Sequence, residues 1–241
     1  MESIKTINYK GMLIEVYQDD SPEIPREWDN LGTMVCKHRD YNLGDEDHGY
    51  SLDDYESWAE VAHAIKAFED VAVILPLYLY DHSGLRMKVG SFQGLLPQGH
   101  AEFDSGQVGW IYITKQTIRK DMCRPRLRQE HPGAPHLEPI KRITAKDLAR
   151  AAKLLESEVN TYDQYLSGQV YGYIALDPGT GDTIDSYWGF YGDPESYMLI
   201  EAYGAIDCHV AEGLARKARK IKAMINNHVP LFYRPAILEA I

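Results

Sequence analysis

The sequence predicts an α+β fold, a mainly antiparallel sheet with several packed helices, and three observations lead there. Runs such as MLIEVYQD (Met12–Asp19) alternate apolar and polar positions, the period of a half-buried strand. The segment GQVYGYIALDPGTGDTIDSYWGFYGD has the form of a hairpin, two strand-like runs around a Pro/Gly turn. Helical stripes come in separate blocks, not in regular βαβ alternation. All of 1–241 reads as one α+β domain, with an exposed Pro/Arg-rich loop at 123–142.

Met12–Asp19 is the first clear strand and Gly32–His38 a weaker one, separated by the Pro-rich, acidic loop SPEIPREWDN. Arg39–Tyr55 is acidic and turn-rich, which places it at the surface. A helix is expected over Asp54–Glu69, where Trp58, Val61, Ala62, Ile65 and Phe68 recur at steps of three and four. Val71–Tyr80 is too continuously apolar for an edge and reads as a central strand, with Pro76 marking a bulge or an end. Leu85–Phe92 returns antiparallel, and Gln107–Lys115 is a further strand whose Thr114 or Thr117 opens a short helix. Thr144 and Asp147 have the spacing of a capping box. The helix that follows carries one stripe, Leu148, Ala151, Ala152, Leu155, Val159, Tyr162 and Leu166. After the hairpin strands Gln169–Leu176 and Thr183–Phe190, Asp193 is expected to cap a helix with Pro194 in its first turn. Ile206, Val210, Leu214, Ile221 and Ile225 form a seam along that helix, with Gly204 and Gly213 as candidate kinks.

The net charge of −11 hides a segregation. Residues 1–114 hold 20 acids and 8 bases, a balance of −12, whereas 115–146 hold 9 bases and 3 acids. Such an acidic half repels phosphates, so nucleic-acid contact is expected only through the basic segments, Arg216–Lys222 and Arg124, Arg126 and Arg128. No apolar run approaches the ~20 residues of a membrane span. The opening residues lack a basic flank followed by a hydrophobic core, so a cytoplasmic location is expected. Three cysteines with no CxxC pair fit free thiols in a reducing compartment.

Three clusters lie beside strand ends: His38-Arg39-Asp40, Asp81-His82-Ser83-Gly84 and Asp104-Ser105-Gly106-Gln107. If those ends meet, His38, Asp81, His82 and Asp104 are candidate ligands for a divalent metal, and Asp81, His82, Ser83 and Asp104 candidate acid–base or nucleophilic groups. No HExxH, GxSxG or EF-hand spacing supports this, and Asp-His-Ser-Gly is also ordinary corner chemistry. The corner is the first reading. DPGTGD joins two strands and lacks the Lys and helix of a phosphate loop. Candidate binding residues are the acidic Asp45, Glu46, Asp47, Asp53 and Asp54, with Trp188 and Tyr191 from an aromatic-rich stretch suited to partner contact or stacking.

WDNLGTMVCKHRDYNLGD, ILPLYLYDHSG, DSGQVGWIYITK, NTYDQYL and DSYWGFYG together resemble a family of uncharacterised proteins encoded by bacteriophages and bacterial mobile elements. The likeness spans roughly residues 28–192 and departs in the Gly84–Gly106 stretch and in 123–142. The family has no established activity, so no catalytic role carries over. The resemblance implies an accessory protein acting in the bacterial host cell. The first expectation is therefore a binder of a host macromolecule, a defence or nucleic-acid-processing factor, through its acidic surface. The alternatives are a metal-assisted hydrolase of a nucleotide or phosphodiester, and a non-catalytic nucleotide sponge.

Overall fold

The computed structural model describes residues 2–96, 103–123 and 142–234. In chain order the elements are β1 (Lys5–Tyr9), β2 (Met12–Gln18), β3 (Thr33–Cys36), α1 (Trp58–Phe68), β4 (Val71–Asp81), β5 (Leu85–Val89) and β6 (Ser105–Thr114). A short helix α2 (Lys115–Thr117) follows and continues as a wider turn over Ile118–Cys123. The remainder is α3 (Ala145–Leu166), β7 (Val170–Leu176), β8 (Thr183–Tyr191) and α4 (Tyr197–His228). Every strand pairing is antiparallel, so the fold is α+β. The chain divides into two compact units, Pro22–Gln169 and a second formed by Met1–Ser21 with Val170–Ile241.

In the unit Pro22–Gln169 the sheet order is β3-β6-β4-β5. The apolar run Val71–Tyr80 is central, as its continuity requires, because helices cover both faces of the sheet. Pro76 sits inside it beside a register shift at Leu77/Tyr78, and pairing with β5 begins only at Leu77. On one face α3 lays Ala151, Leu155, Val159 and Tyr162 against Met34, Leu77, Met87 and Ile111. Leu148 and Leu166, at the two ends of the stripe, are only partly buried. Leu77, Ile111 and Leu155 are fully buried, each stabilising the fold by about 1.5–3 kcal/mol relative to exposure. The capping box is present: the Asp147 N–H donates to Thr144 Oγ1 at 3.2 Å, and the Thr144 N–H to Asp147 Oδ2 at 3.0 Å.

On the other face Ser57 caps α1, accepting the Glu60 N–H, so the helix starts at Trp58 and not at Asp54. Val61 and Ile65 pack against Val35 and Tyr112, and Trp110 Nε1 donates to the Trp58 carbonyl at 2.7 Å. Phe68 leaves the expected stripe; it falls in the last turn and is 78% exposed. Thr114 opens α2, accepting the Thr117 N–H. Cys123, placed in the Pro/Arg-rich loop by sequence, is buried at the end of the turn that follows α2. Residues 124–141 of that loop lie outside the described residues.

The second unit has sheet order β1-β2-β7-β8. Ile14, Val16, Tyr173 and Ala175 point to one face, where Met198, Leu199, Ala202 and Ile206 from the first half of α4 cover them. The hairpin turn closes through Asp177, whose carboxylate accepts the Gly179 N–H at 2.8 Å and whose carbonyl accepts the Gly181 N–H at 2.7 Å. Asp193 does not cap the helix. It holds a turn, accepting the Glu195 N–H at 2.9 Å, and α4 begins three residues beyond Pro194. The seam expected along α4 also fails to hold together. Ile206 and Ile225 are buried, but Leu214 is 62% and Ile221 41% exposed. Gly204 and Gly213 lie within one continuous helix, not at breaks.

Candidate functional site

Strands β3 and β4 both pair antiparallel with β6, so their C-terminal ends and the start of β6 lie at the same end of the sheet. The three sequence clusters therefore converge. The Asp81 N–H donates to the Asp104 carbonyl at 2.9 Å, and the Lys37 N–H to the Val108 carbonyl at 2.9 Å. Around them lies an open depression of about 580 Å³ whose polar lining includes Lys37, His38, Arg39, Asp81, Asp104 and Gln107.

His82 Nδ1 stands 3.3 Å from Asp104 Oδ2, both side chains partly open to solvent. The His38 ring stacks on Tyr41 at 4.9 Å, and its Nδ1 accepts the Asp40 N–H at 3.2 Å. The charge of Asp81, and a hydrogen bond to it, push the Tyr41 phenol above its usual range. Among the described residues no three His, Cys, Asp or Glu side chains are placed to hold a metal ion, so the proposed set His38, Asp81, His82 and Asp104 converges without forming a ligand shell.

Asp81-His82-Ser83-Gly84 is a corner. It joins β4 to β5, with Asp81 paired to Leu85, the His82 N–H donating to the Gly84 carbonyl at 3.3 Å, and Ser83 at φ 57°. Ser83 is exposed and is not among the residues lining the depression.

The acidic stretch between Asp40 and Glu60 contains eight carboxylates, and seven of them are exposed. The exception, Asp45, is turned inward. Its carboxylate accepts Arg26 Nε at 2.7 Å, Arg26 Nη2 at 3.0 Å and the Met34 N–H at 2.8 Å. The Arg26 guanidinium, 3% exposed, also meets Glu158 Oε2 at 3.3 Å and donates to the Gly32 carbonyl at 2.7 Å. Glu158 in turn accepts the Leu31 N–H at 2.8 Å. Burial works against the guanidinium charge, but Asp45 and Glu158 outweigh it and hold the Arg26 pKa above its usual value. Asp45 is thus an anchor, while Glu46, Asp47, Asp53 and Asp54 stay at the surface, with Asp53 paired to Lys37.

In the second unit Trp188 is half-buried. A side chain at Gly172 would come within 2.3 Å of its ring, and Tyr17 lies 6.0 Å away. Tyr191 is half-buried and paired with Val170. Arg216–Lys222 is exposed throughout, whereas Arg124, Arg126 and Arg128 lie outside the described residues. None of the three cysteines is in a disulfide; Cys36 and Cys123 are buried and Cys208 is exposed. No described helix is long and apolar enough to cross a membrane.

Comparison with protein-family models, curated proteins and solved structures gave no match. The residue that sequence reasoning missed is Arg26. Its signal was available: it is the one base in SPEIPREWDN, a loop with three acids and two prolines.

Proposed function

We propose that the protein is an accessory factor of a bacteriophage or mobile element that binds a host macromolecule through the acidic surface of residues 40–60. The target class is a defence or nucleic-acid-processing factor acting in the bacterial cytoplasm. One observation carries this reading. Of the eight carboxylates in that stretch, Asp45 is the one turned inward, where it is clamped by Arg26 and the Met34 N–H, while the other seven are exposed at the protein surface. A surface ordered before binding loses little freedom on association, and spaced carboxylates on it offer a basic groove what a phosphate backbone offers. The test compares capture of host factors by the wild type and by a Glu46→Lys, Asp47→Lys, Asp53→Lys, Asp54→Lys variant. Loss of capture at unchanged melting temperature, with the captured factor displaced by added duplex DNA, supports the reading. Capture that survives the four reversals refutes it.

The convergence at the sheet end supports a second reading, acid–base chemistry on a phosphodiester with His82 and Asp104 as the proton-handling pair. Turnover of a phosphodiester that disappears in His82→Ala would replace the first reading with this one.

A further inference from the structure

Between β5, α3 and the turn after β5, the unit Pro22–Gln169 holds a cleft of about 590 Å³, within the roughly 300–1,000 Å³ of small-molecule sites. One wall is β5, where Arg86 and Lys88 stand two residues apart and therefore on the same side of the strand. Arg86 grips Asp163 with Nε at 3.0 Å and Nη2 at 2.8 Å, which leaves its Nη1 out of the pair. Among the described residues Lys88 is in no ion pair; its ammonium lies 5.5 Å from the centre of the Phe92 ring.

Across the edge of β5, α3 adds Glu156 and Asn160 to the lining, one turn apart and both exposed. The apolar part comes from Tyr80, Phe92 and Leu95. The two rings are 5.8 Å apart, and Leu95 is 66% exposed. One cleft thus combines a cationic strand, an apolar surface, a carboxylate acceptor and an amide that both donates and accepts.

We propose that this cleft binds a purine nucleoside monophosphate. The phosphate lies on Lys88 and the spare Nη1 of Arg86, and the flat base lies against Tyr80 and Leu95. The ring-edge N–H and carbonyl groups meet Glu156 and Asn160. An extended peptide added to β5 fits poorly, because the Met87 N–H that it needs is already taken by Asp163 at 2.6 Å. A nucleic-acid strand fits poorly too, because the Glu156 carboxylate would face its phosphates. Bare phosphate leaves the apolar surface unused. The proposal stands apart from the acidic-surface reading and survives its failure.

Calorimetric titration of the full chain with GMP, AMP, guanosine and inorganic phosphate tests it. The nucleotides bind one per chain, and removing the phosphate weakens binding by about tenfold or more. Lys88→Glu weakens GMP binding by about tenfold or more, Asn160→Ala weakens it by a smaller factor, and Lys66→Glu on α1 leaves it unchanged. Melting temperatures of all three variants stay close to wild type, so a loss of binding is not a loss of fold. Equal binding of inorganic phosphate and GMP, GMP binding by Lys88→Glu as tight as by wild type, or no binding of either nucleotide at millimolar concentration overturns the proposal.

Discussion

Asp45 accepts the Met34 N–H on β3 at 2.8 Å, and Asp163 accepts the Met87 N–H on β5 at 2.6 Å. These are the two outer strands of one sheet. Each has a ladder donor closed by a carboxylate, and each carboxylate is held from behind by two nitrogens of an arginine, Arg26 or Arg86. An open strand edge is a template for pairing with another chain. The two carboxylates remove that template where the strands would otherwise offer it.

Breaking either closure has a cost that depends on what is left behind. Asp163→Ala strips the acceptor from the Met87 N–H but leaves Arg86 half in solvent, so a loss of about 1–3 kcal/mol is expected. Asp45→Ala leaves the buried Arg26 guanidinium with the Gly32 carbonyl and, as its carboxylate partner, the more distant Glu158, and a loss of about 3–5 kcal/mol is expected. Urea denaturation measures both, and concentration-dependent gel filtration of Asp163→Ala reports the opened edge.

Gly109 and Gly106 lie three residues apart on β6 and predict opposite outcomes. A Cβ at Gly109 would stand 2.2 Å from the Val35 carbonyl oxygen, a backbone atom that cannot swing aside, whereas Gly106 faces open space. Gly109→Ala should destabilise by about 3 kcal/mol or more and Gly106→Ala by less than about 1 kcal/mol. Thermal melts of the two side by side decide it.

Burial pushes the Tyr162 phenol up to about 12, against the opposing effect of the Gly44 N–H that it accepts. Below about pH 10 both folded and unfolded states keep the proton, and the full stabilisation is present. Between about pH 10 and 12 only the unfolded state ionises, so stability falls as pH rises. Tyr50, Tyr112 and Tyr173 are raised as well, mainly by burial, and share in the loss. The readout is therefore a difference: across this window the wild type should lose about 1–3 kcal/mol more than Tyr162→Phe.

Removing surface charge from the acidic stretch should leave the fold alone. Glu46→Gln, Asp47→Asn and Asp54→Asn are each expected to shift stability by no more than about 0.5 kcal/mol. Asp45→Asn, adjacent to Glu46 in sequence yet turned inward onto Arg26, should stand well outside that range in the same chemical-denaturation series.

The strands and the long helix α3 were legible because their burial follows one period over many residues: Ala151, Leu155, Val159 and Tyr162 face the core as the stripe predicts. Thr144 and Asp147 were legible because a capping box is a local interaction. The α4 seam was not, since periodicity shows which residues share a face and not whether anything covers them; Ile206 meets the sheet, while Leu214 stands exposed. That the three clusters lie beside strand ends was legible, but whether those ends meet, and the roles of their residues, were not. Whether Asp81 turns a corner or meets a ligand depends on backbone angles that composition does not encode. Arg26 was missed because its partners Asp45 and Glu158 are 19 and 132 residues away.

Helix α4 packs its early residues on the sheet of its unit and leaves most of the stretch from Ala211 to His228 bathed in solvent. Cys208 falls near that changeover, and it is the sole exposed thiol of the three. A maleimide dye would accordingly mark each polypeptide once, at a position where fluorescence anisotropy reads whether the cationic end of this rod swings freely or has been seized.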